Sequence, residues 1–379
     1  MSFQKRNAPI VSARVPSFVK STLTSSSPVS PVSKFRRPST LVPSYITHST
    51  GTSSLDRLLL HDGLPLGTSL LVFESGSTDF ASVIARCYAA QGVANGDTVV
   101  AIGTHARWGH ELPAPADPAS KSSKRRAPSN NLNLSSLVPG GPSEKEMKIA
   151  WRYRHQPVQS WQAPHQETEY CRSWNLTLRV TPPAKIQYID ATATSFDGIL
   201  NRLSEIAAAS ASTGTVTRVV LPGFLNPTTY PLATAFQPDN LLQFLHRLRA
   251  LLRKYASTLS VLFTLSASLF DASLGNSILI PWIETLVDGV VRLVPVAETN
   301  SSNNNNNNNN NSNSKSDKDR HQGFIHVLKL PVVSDRGSMA VKEMEYSFKV
   351  GKGGMIIEKW GIPVIIDEKS QDKKDELEF

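Results

Sequence analysis

The sequence predicts an α/β fold built on a doubly wound, mainly parallel sheet, with antiparallel strands toward the C-terminus. Short, continuous apolar runs alternate with longer segments of helical periodicity, which is typical of βαβ units whose strands are buried on both faces. Near the C-terminus the apolar runs follow one another without helices between them, as antiparallel strands do. A chain of 379 residues, 40% of them hydrophobic, is long enough for one large core of this kind.

The first of these units lies near the start of the predicted core. Residues 53–60 predict a short helix capped by its serines, and residues 70–73 predict a buried strand. A second helix is predicted over residues 78–92, where apolar side chains recur at helical spacing and a glycine ends the pattern. The order helix, strand, glycine-containing loop and helix is the one that presents a phosphate loop in ATPases of the RecA type. The sequence therefore predicts a RecA-like domain.

The loop between that strand and the second helix is a degenerate phosphate loop. A working loop uses backbone amides, a lysine for the β- and γ-phosphates and a serine or threonine for magnesium. Gly76, Ser77, Thr78 and Asp79 can still present amides at a helix amino terminus, so they are the candidate nucleotide-binding residues. No lysine is present, and the carboxylates of Glu74 and Asp79 would repel a phosphate. Asp79 also has a structural interpretation, as the cap of the following helix or as a favourable charge in its first turn.

A second part of ATPase chemistry is missing as well. Magnesium binding needs an acidic residue at the end of a later strand, but the strand predicted over residues 217–221 is followed by Pro222 and Gly223. Asp190, after a strand at residues 186–189, is the alternative. We therefore predict no catalytic residue and no required cofactor, with ATP as an accessory ligand at most. Histidines and cysteines lack the spacing of metal ligands, so no metal site is predicted.

The remaining elements continue the alternation of strands and helices. The segment 351–354 sits between two strands with no helix after it, so it predicts a hairpin turn and not a second phosphate loop. Further strands are predicted over residues 97–102, 260–265, 286–294, 324–330, 345–350 and 355–360, and further helices over residues 196–206 and 240–255.

Changes of composition separate the core from segments that need not fold. Residues 1–43 are rich in serine and proline, contain basic but no acidic residues, and predict a disordered tail. Residues 111–146 predict a disordered insertion, and the asparagine tract within residues 300–322 predicts a polar loop. Residues 367–379 form a charged C-terminal tail. A single RecA-like domain over residues 44–366 remains.

The net charge of +9 bears on possible partners. The positive charge is concentrated in the amino-terminal tail and in the cluster Lys121, Lys124, Arg125 and Arg126. Such segments can bind RNA or DNA loosely, and they can equally be solvated tails or a nuclear-import address. No apolar run approaches the ~18 residues of a membrane span, so no membrane association is predicted.

A short segment rich in basic and aromatic residues follows the predicted insertion. Lys148, Arg152 and Arg154 could reach phosphates while Trp151 and Tyr153 stack on bases or on a protein partner. The alternative is an ordinary strand or loop with aromatic side chains in the core and arginines at the surface. Both interpretations remain open at this point.

A set of short motifs in this sequence is shared with one known family. They are Arg37-Pro38-Ser39, Ser49-Thr50-Gly51, Ser54-Leu55-Asp56, Gly63–Gly67, Glu74–Ser82, Lys148–Tyr153, Tyr170-Cys171 and Lys329–Pro331. In this combination the chain resembles the family of Elongator complex subunit four, the PAXNEB family. The match covers most of the predicted folded part in patches.

The resemblance implies a RecA-like subunit of a six-membered ring, formed with Elongator subunits five and six. It further implies membership of the larger Elongator assembly, which places 5-methoxycarbonylmethyl and related side chains on the wobble uridine of certain tRNAs. The ring would bind tRNA and be linked to ATP hydrolysis, the modification chemistry would belong to another subunit, and the location would be cytoplasm and nucleus. Two other hypotheses remain open: an active ATPase with a non-standard nucleotide site, and a nuclear RecA-like protein associated with DNA or transcription.

Overall fold

A nine-stranded sheet runs through the centre of the protein. The computed structural model describes residues 35–116, 170–181, 184–231, 235–270, 279–296, 321–331 and 345–360, all of which belong to one compact unit spanning residues 33–379. Numbered along the chain, the strands are β1 (Arg36–Pro38), β2 (Ile46–His48), β3 (Leu64–Pro65), β4 (Ser69–Glu74), β5 (Thr98–Ile102), β6 (Pro113–Pro115), β7 (Trp174–Arg179), β8 (Gln187–Ile189), β9 (Thr217–Leu221), β10 (Leu259–Ser266), β11 (Gly289–Pro295), β12 (Gly323–Lys329), β13 (Tyr346–Gly351) and β14 (Gly354–Lys359). The helices are α1 (Ser53–Leu58), α2 (Phe80–Asn95), α3 (Phe196–Thr213), α4 (Pro238–Lys254) and α5 (Leu279–Leu286).

The order of the strands confirms the predicted fold class. Across the large sheet it is β14-β13-β12-β11-β4-β10-β9-β5-β8. The six strands from β11 to β8 pair in parallel, whereas β11, β12, β13 and β14 pair antiparallel. The turn at 351–354 joins β13 to β14, so the hairpin prediction is also confirmed. The strand before the degenerate loop, β4, lies in the interior of the sheet between β10 and β11.

The helices cover both faces of the parallel strands, and β4 shows why. Leu71 and Phe73 pack into a cluster that contains α3, α4 and α5, while Leu70 and Val72 pack into a second cluster with α1 and α2. Successive side chains of a strand point to opposite faces, so a central strand with helices on both sides must be apolar at most positions. This requirement explains the continuous apolar runs in the sequence.

The helix after the degenerate loop is longer than predicted. Helix α2 continues beyond Gly92 to Asn95, and Gly96 ends it in the left-handed conformation, with φ 79°. Gly92 is a packing position, since a Cβ there would lie 2.6 Å from Cδ of Arg218. The serine caps predicted for α1 are also wrong. The cap position is Thr52, which makes no side-chain cap bond, and the hydroxyl of Ser54 instead accepts a hydrogen bond from the amide of Ile357 in β14.

Two ordered segments lie where the composition predicts disorder. Strand β1 falls within the predicted tail and pairs antiparallel with β2, so the folded chain begins by Phe35 and not near Ser44. Strand β6 falls within the predicted insertion and pairs with β7, so the folded chain extends to Ala116. Both strands are short and proline-containing, and their partners are distant or weakly apolar, which is why their composition resembles that of a loop. The predictions for residues 1–34, 117–146, 300–320 and 367–379 lie outside the described residues.

One helix was not predicted. The sequence indicates a strand over residues 286–294, but the structure has α5 up to Leu286 and a strand from Gly289. In the described ranges, no helix is both long enough and apolar enough to cross a membrane.

Candidate functional site

A cleft of about 790 Å³ lies at the carboxyl ends of the parallel strands. Its walls include residues that end or directly follow five strands, among them Glu74 of β4, Gly103 after β5, Asp190 after β8, Pro222 after β9 and Ser266 of β10. Ligands of doubly wound α/β proteins bind outside the carboxyl ends of the strands. The cleft is therefore the candidate functional site.

The side chain of Glu74 closes the phosphate-loop end of this cleft. Its Oε1 accepts hydrogen bonds from Oγ1 of Thr78 at 2.6 Å and from the amide of Phe80 at 3.0 Å. Its Oε2 accepts a bond from the amide of Ala81 at 2.7 Å. Although ionisable, the residue is only 4% exposed. A carboxylate of the chain itself thus occupies the amino terminus of α2, where an anionic ligand would bind.

The geometry of Glu74 changes the interpretation of Asp79. Asp79 holds the cap position of α2, but its side chain makes no cap hydrogen bond, so the capping role expected from the sequence is wrong. Glu74 instead accepts from two amides of the first turn, those of Phe80 and Ala81. The sequence identified Glu74 only as a charge that repels phosphate. Its position as the last residue of a buried strand, directly before a loop and a helix, is a signal in the sequence, but that position does not fix the direction of the side chain.

The structure separates the four candidate nucleotide-binding residues. Thr78 and Asp79 line the cleft, whereas Gly76 and Ser77 lie on the exposed part of the loop and are not among the lining residues. Gly76 has φ 91°, and a Cβ there would meet no atom within 4 Å. The loop therefore arches into open space and does not wrap around the cleft. The other predicted contact residues, Lys148, Trp151, Arg152, Tyr153 and Arg154, lie outside the described residues.

The charges around the cleft are unfavourable for phosphate. Besides Glu74, its lining carries the carboxylates of Asp79, Glu111 and Asp190. Arg86 is the guanidinium among the lining residues, and its NH1 lies 3.4 Å from Glu111, whose other oxygen lies 3.3 Å from Nε2 of His105. Among the described lining residues, the guanidinium that could meet an incoming phosphate is thus already engaged by a carboxylate.

Asp190 cannot replace the missing magnesium ligand near the loop. It follows β8 at the edge of the sheet, four strands from β4, which corresponds to about 19 Å at the usual strand spacing. Its Oδ1 accepts bonds from the amide and the hydroxyl of Thr192, and these bonds lower the pKa of Asp190 below its ordinary value. Strand β9, which only β10 separates from β4, ends without an acidic residue. Within the described parts of the chain, no three potential metal-binding side chains come together.

Two of the short motifs that carry the family resemblance, Ser49-Thr50-Gly51 and Ser54-Leu55-Asp56, form a buried network. Asp56 accepts hydrogen bonds from the hydroxyl of Ser49 at 2.6 Å and from the hydroxyl and amide of Thr50 at 2.6 and 2.8 Å. Gly51 lies between these residues and α2 with φ 82°, and a Cβ there would lie 2.4 Å from the carbonyl oxygen of Cys87. These two motifs therefore hold the loop before α1 against α2.

A buried histidine connects two further motifs. Nδ1 of His61 lies 2.7 Å from the hydroxyl of Ser39, and its Nε2 lies 2.7 Å from the carbonyl oxygen of Pro331. Burial lowers the pKa of His61, which favours the neutral ring that such a bridge needs. Ser39 and Pro331 thus belong to the fold, in agreement with a structural role for the shared motifs.

The capping geometry predicts a difference between two alanine substitutions. Ser195 caps α3 by accepting a bond from the amide of Gly198, so Ser195→Ala should lower the free energy of unfolding by about 1 kcal/mol. Asp79→Ala, at the corresponding position of α2, should change it by less than about 0.5 kcal/mol, because Glu74 performs the capping. Urea unfolding of the two variants measures both values. Equal losses would contradict the assignment of the α2 cap to Glu74.

Comparison with known proteins agrees with the shared motifs. Residues 36–378 match the family model described as PAXNEB protein. Elongator complex protein 4 of Saccharomyces cerevisiae is 28% identical over 350 residues, which cover 84% of this chain and 74% of that protein. The protein of the same name from Schizosaccharomyces pombe is 28% identical over 337 residues, covering 86% and 87% of the two chains. A shorter match, 34% over 118 residues, is found with Elongator complex protein 4 of Mus musculus. The family match begins at β1 and extends beyond β14, so this chain belongs to the PAXNEB family.

Proposed function

We propose that this chain is a non-catalytic subunit of the Elongator complex. In this proposal it forms a six-membered RecA-like ring with Elongator subunits five and six, and the ring binds tRNA and supports modification of the wobble uridine. The similarity to proteins named Elongator complex protein 4, over 84% and 86% of this chain, supports the assembly. The observation that carries the non-catalytic role is the carboxylate of Glu74 at the amino terminus of α2.

Three features of the cleft support the proposal that this subunit performs no nucleotide chemistry. The helix amides are occupied by Glu74, the guanidinium of Arg86 is engaged by Glu111, and the end of β9 offers no acidic residue for magnesium. In the proposal no cofactor is required, and ATP is at most an accessory ligand. The unit formed by β4, the loop and α2 then has a structural role in the ring subunit.

An exposed face that combines apolar side chains with the Lys349–Glu358 ion pair supports the association with neighbouring subunits. Phe324, Leu328, Ile356 and Trp360 share the face of β12 and β14 that points away from α2, as the strand registers show. Three of these four side chains are more than 40% exposed. Exposed apolar patches on folded proteins are typical of interaction sites. We propose that the neighbouring ring subunit packs here.

The contact with tRNA is assigned to basic segments. Lys148, Trp151, Arg152, Tyr153 and Arg154, together with the basic amino-terminal tail, carry the positive charge and aromatic side chains that RNA binding needs. A role in tRNA modification is consistent with a location in the cytoplasm and nucleus and requires no membrane. Removal of residues 1–34 should then weaken tRNA binding and reduce its dependence on salt concentration.

Co-expression with Elongator subunits five and six tests the assembly. We expect native mass spectrometry to show a six-membered complex that contains all three chains. Ile356→Asp should weaken this complex without changing the melting temperature of the isolated chain, because Ile356 is 44% exposed. Leu178→Asp, at an exposed apolar position of β7, is the matched control and should leave assembly unchanged. A chain that remains monomeric in the presence of both partners would contradict the proposal.

Because of the size of the cleft, ATP hydrolysis is the second candidate function. A volume of about 790 Å³ at the carboxyl ends of the strands is large enough for a nucleotide. The test is ATP turnover by the assembled complex before and after Thr78→Ala and Asp79→Ala. Turnover that depends on these two residues would favour the ATPase, and unchanged turnover would exclude this loop from the reaction.

A further inference from the structure

We propose that Glu74 is a built-in substitute for an anionic ligand, and that this single side chain excludes phosphate groups from the subunit. The inference rests on the proposed function, because it concerns the loop to which that proposal gives a non-catalytic role. It goes further by naming the residue that prevents anion binding and the class of ligand, a phosphate or another small oxyanion, that would bind without it.

The contacts of Glu74 are those that a bound oxyanion would make. Its two oxygens accept from two successive amides of the first turn of α2, those of Phe80 and Ala81, and from the hydroxyl of Thr78. Backbone amides of a helix start together with a threonine hydroxyl are the donors that phosphate loops use. All three distances are between 2.6 and 3.0 Å, as expected for hydrogen bonds to a charged acceptor.

The tether makes this carboxylate a strong competitor. Glu74 is the last residue of β4, which is paired on both sides, so its backbone is held in place beside α2. Because the carboxylate is covalently attached to a fixed backbone, it reaches the helix terminus without losing translational freedom. A free phosphate would have to displace it while losing its own freedom of movement. The exclusion therefore needs no contribution from the rest of the loop.

The donors would be accessible to solvent if the carboxylate were removed. Glu74, Thr78 and Ala81 all line the cleft, so the vacated position opens into it. The loop ahead of α2 does not block the approach, because Gly76 has open space around its Cα. Asp79 remains nearby as an exposed negative charge, so anion binding to the opened site should be weak, with a dissociation constant on the order of 10 mM.

Anion rescue of Glu74→Ala in the full chain tests the inference. Melting temperatures are measured with sodium phosphate and with sodium formate, at ionic strength held constant with sodium chloride. Phosphate at about 100 mM should raise the melting temperature of Glu74→Ala by about 3 °C, and formate should act in the same direction, while the wild type should not respond. Asp190→Asn removes the charge of another carboxylate of the same cleft, one that is bonded to Thr192, and should show no anion dependence.

A second variant covers the case in which Glu74→Ala does not fold. Glu74→Ser vacates the same space and leaves a polar side chain at the end of β4, so it should show a stabilisation of the same sign. Anion-independent melting of the folded variants, or equal stabilisation of the wild type, would overturn the inference. This experiment uses the isolated chain and does not involve the ring. Failure to assemble with subunits five and six would therefore not contradict the inference. Failure of the anion rescue would not contradict the proposed assembly.

Discussion

Replacement of Arg218 by alanine should lower the free energy of unfolding by about 3–5 kcal/mol. The side chain of Arg218, on the central strand β9, is completely buried. Its Nε donates to Oδ2 of Asp97 at 2.8 Å, and its NH1 donates to the carbonyl oxygen of Ser49 at 2.7 Å. Its guanidinium also lies 5.0 Å from the ring centre of Tyr88. One side chain thus connects β9, α2 and the segment before α1.

The expected loss has two physical sources. Alanine leaves the carboxylate of Asp97, whose side chain is 11% exposed, without its cation, and leaves the carbonyl of Ser49 without its donor. It also opens a cavity among well-packed side chains. Arg218→Met restores most of the volume but not the charge, so its loss should be smaller than that of Arg218→Ala.

Urea unfolding measures these losses against a surface control. Arg202 pairs with Glu205 at 2.9 Å, but both side chains are more than 60% exposed. Arg202→Ala should therefore cost less than about 0.5 kcal/mol. If Arg218→Ala were no more destabilising than Arg202→Ala, the buried pair would not hold these elements together.

The central sheet could be predicted from the sequence because burial on both faces constrains the residue types of each strand locally. Most residues of a strand covered on both faces are apolar, so β4, β9 and β10 are visible as apolar runs, although each also buries a few polar side chains. The peripheral strands could not be predicted in the same way. Strands β1 and β6 contain prolines, and they are stabilised by pairing with β2 and β7, which local composition does not reveal.

The sequence shows which nucleotide-binding groups the candidate site lacks. It does not show which side chain occupies the amino terminus of α2 in place of a ligand. The absence of a lysine from the loop and the absence of an acidic residue after β9 can both be read from the sequence. The role of Glu74 cannot, because it depends on how a strand-end side chain turns toward a helix that begins six residues later. The role of Arg218 could not be predicted either. The strand pattern places Arg218 in the core, but its partners Asp97 and Ser49 are distant in sequence.

Replacement of Asp56 by alanine should lower the free energy of unfolding by about 3 kcal/mol. Its carboxyl group is 2% exposed and accepts three hydrogen bonds, from the hydroxyl of Ser49 and from the hydroxyl and amide of Thr50. Alanine would leave these buried donors without acceptors. Asp56→Asn keeps an acceptor for Thr50, and the hydroxyl of Ser49 can accept from the new amide group, so its cost at neutral pH should be much smaller.

The pH dependence of stability distinguishes Asp56 from other acidic residues. Burial raises the pKa of Asp56 above its ordinary value of 3.8, and the hydrogen bonds from Ser49 and Thr50 offset this only in part. A raised pKa means that the folded state binds the proton more tightly than the unfolded state does. The contribution of this group to stability is therefore full below the unfolded-state pKa and is lost as the pH rises through the folded-state pKa.

Urea unfolding of the wild type and of Asp56→Asn, from pH 4 upward, tests this sign. The wild type should lose stability relative to the asparagine variant as the pH rises, until Asp56 is fully ionised, and the difference should then be constant. Asp190→Asn is the control of opposite sign, since the pKa of Asp190 is lowered by its bonds to Thr192 and its contribution is lost as the pH falls. Parallel stability curves for the wild type and Asp56→Asn would show that burial does not perturb this carboxyl group. A wild type that gains stability relative to Asp56→Asn with rising pH would show that its three hydrogen bonds outweigh its burial.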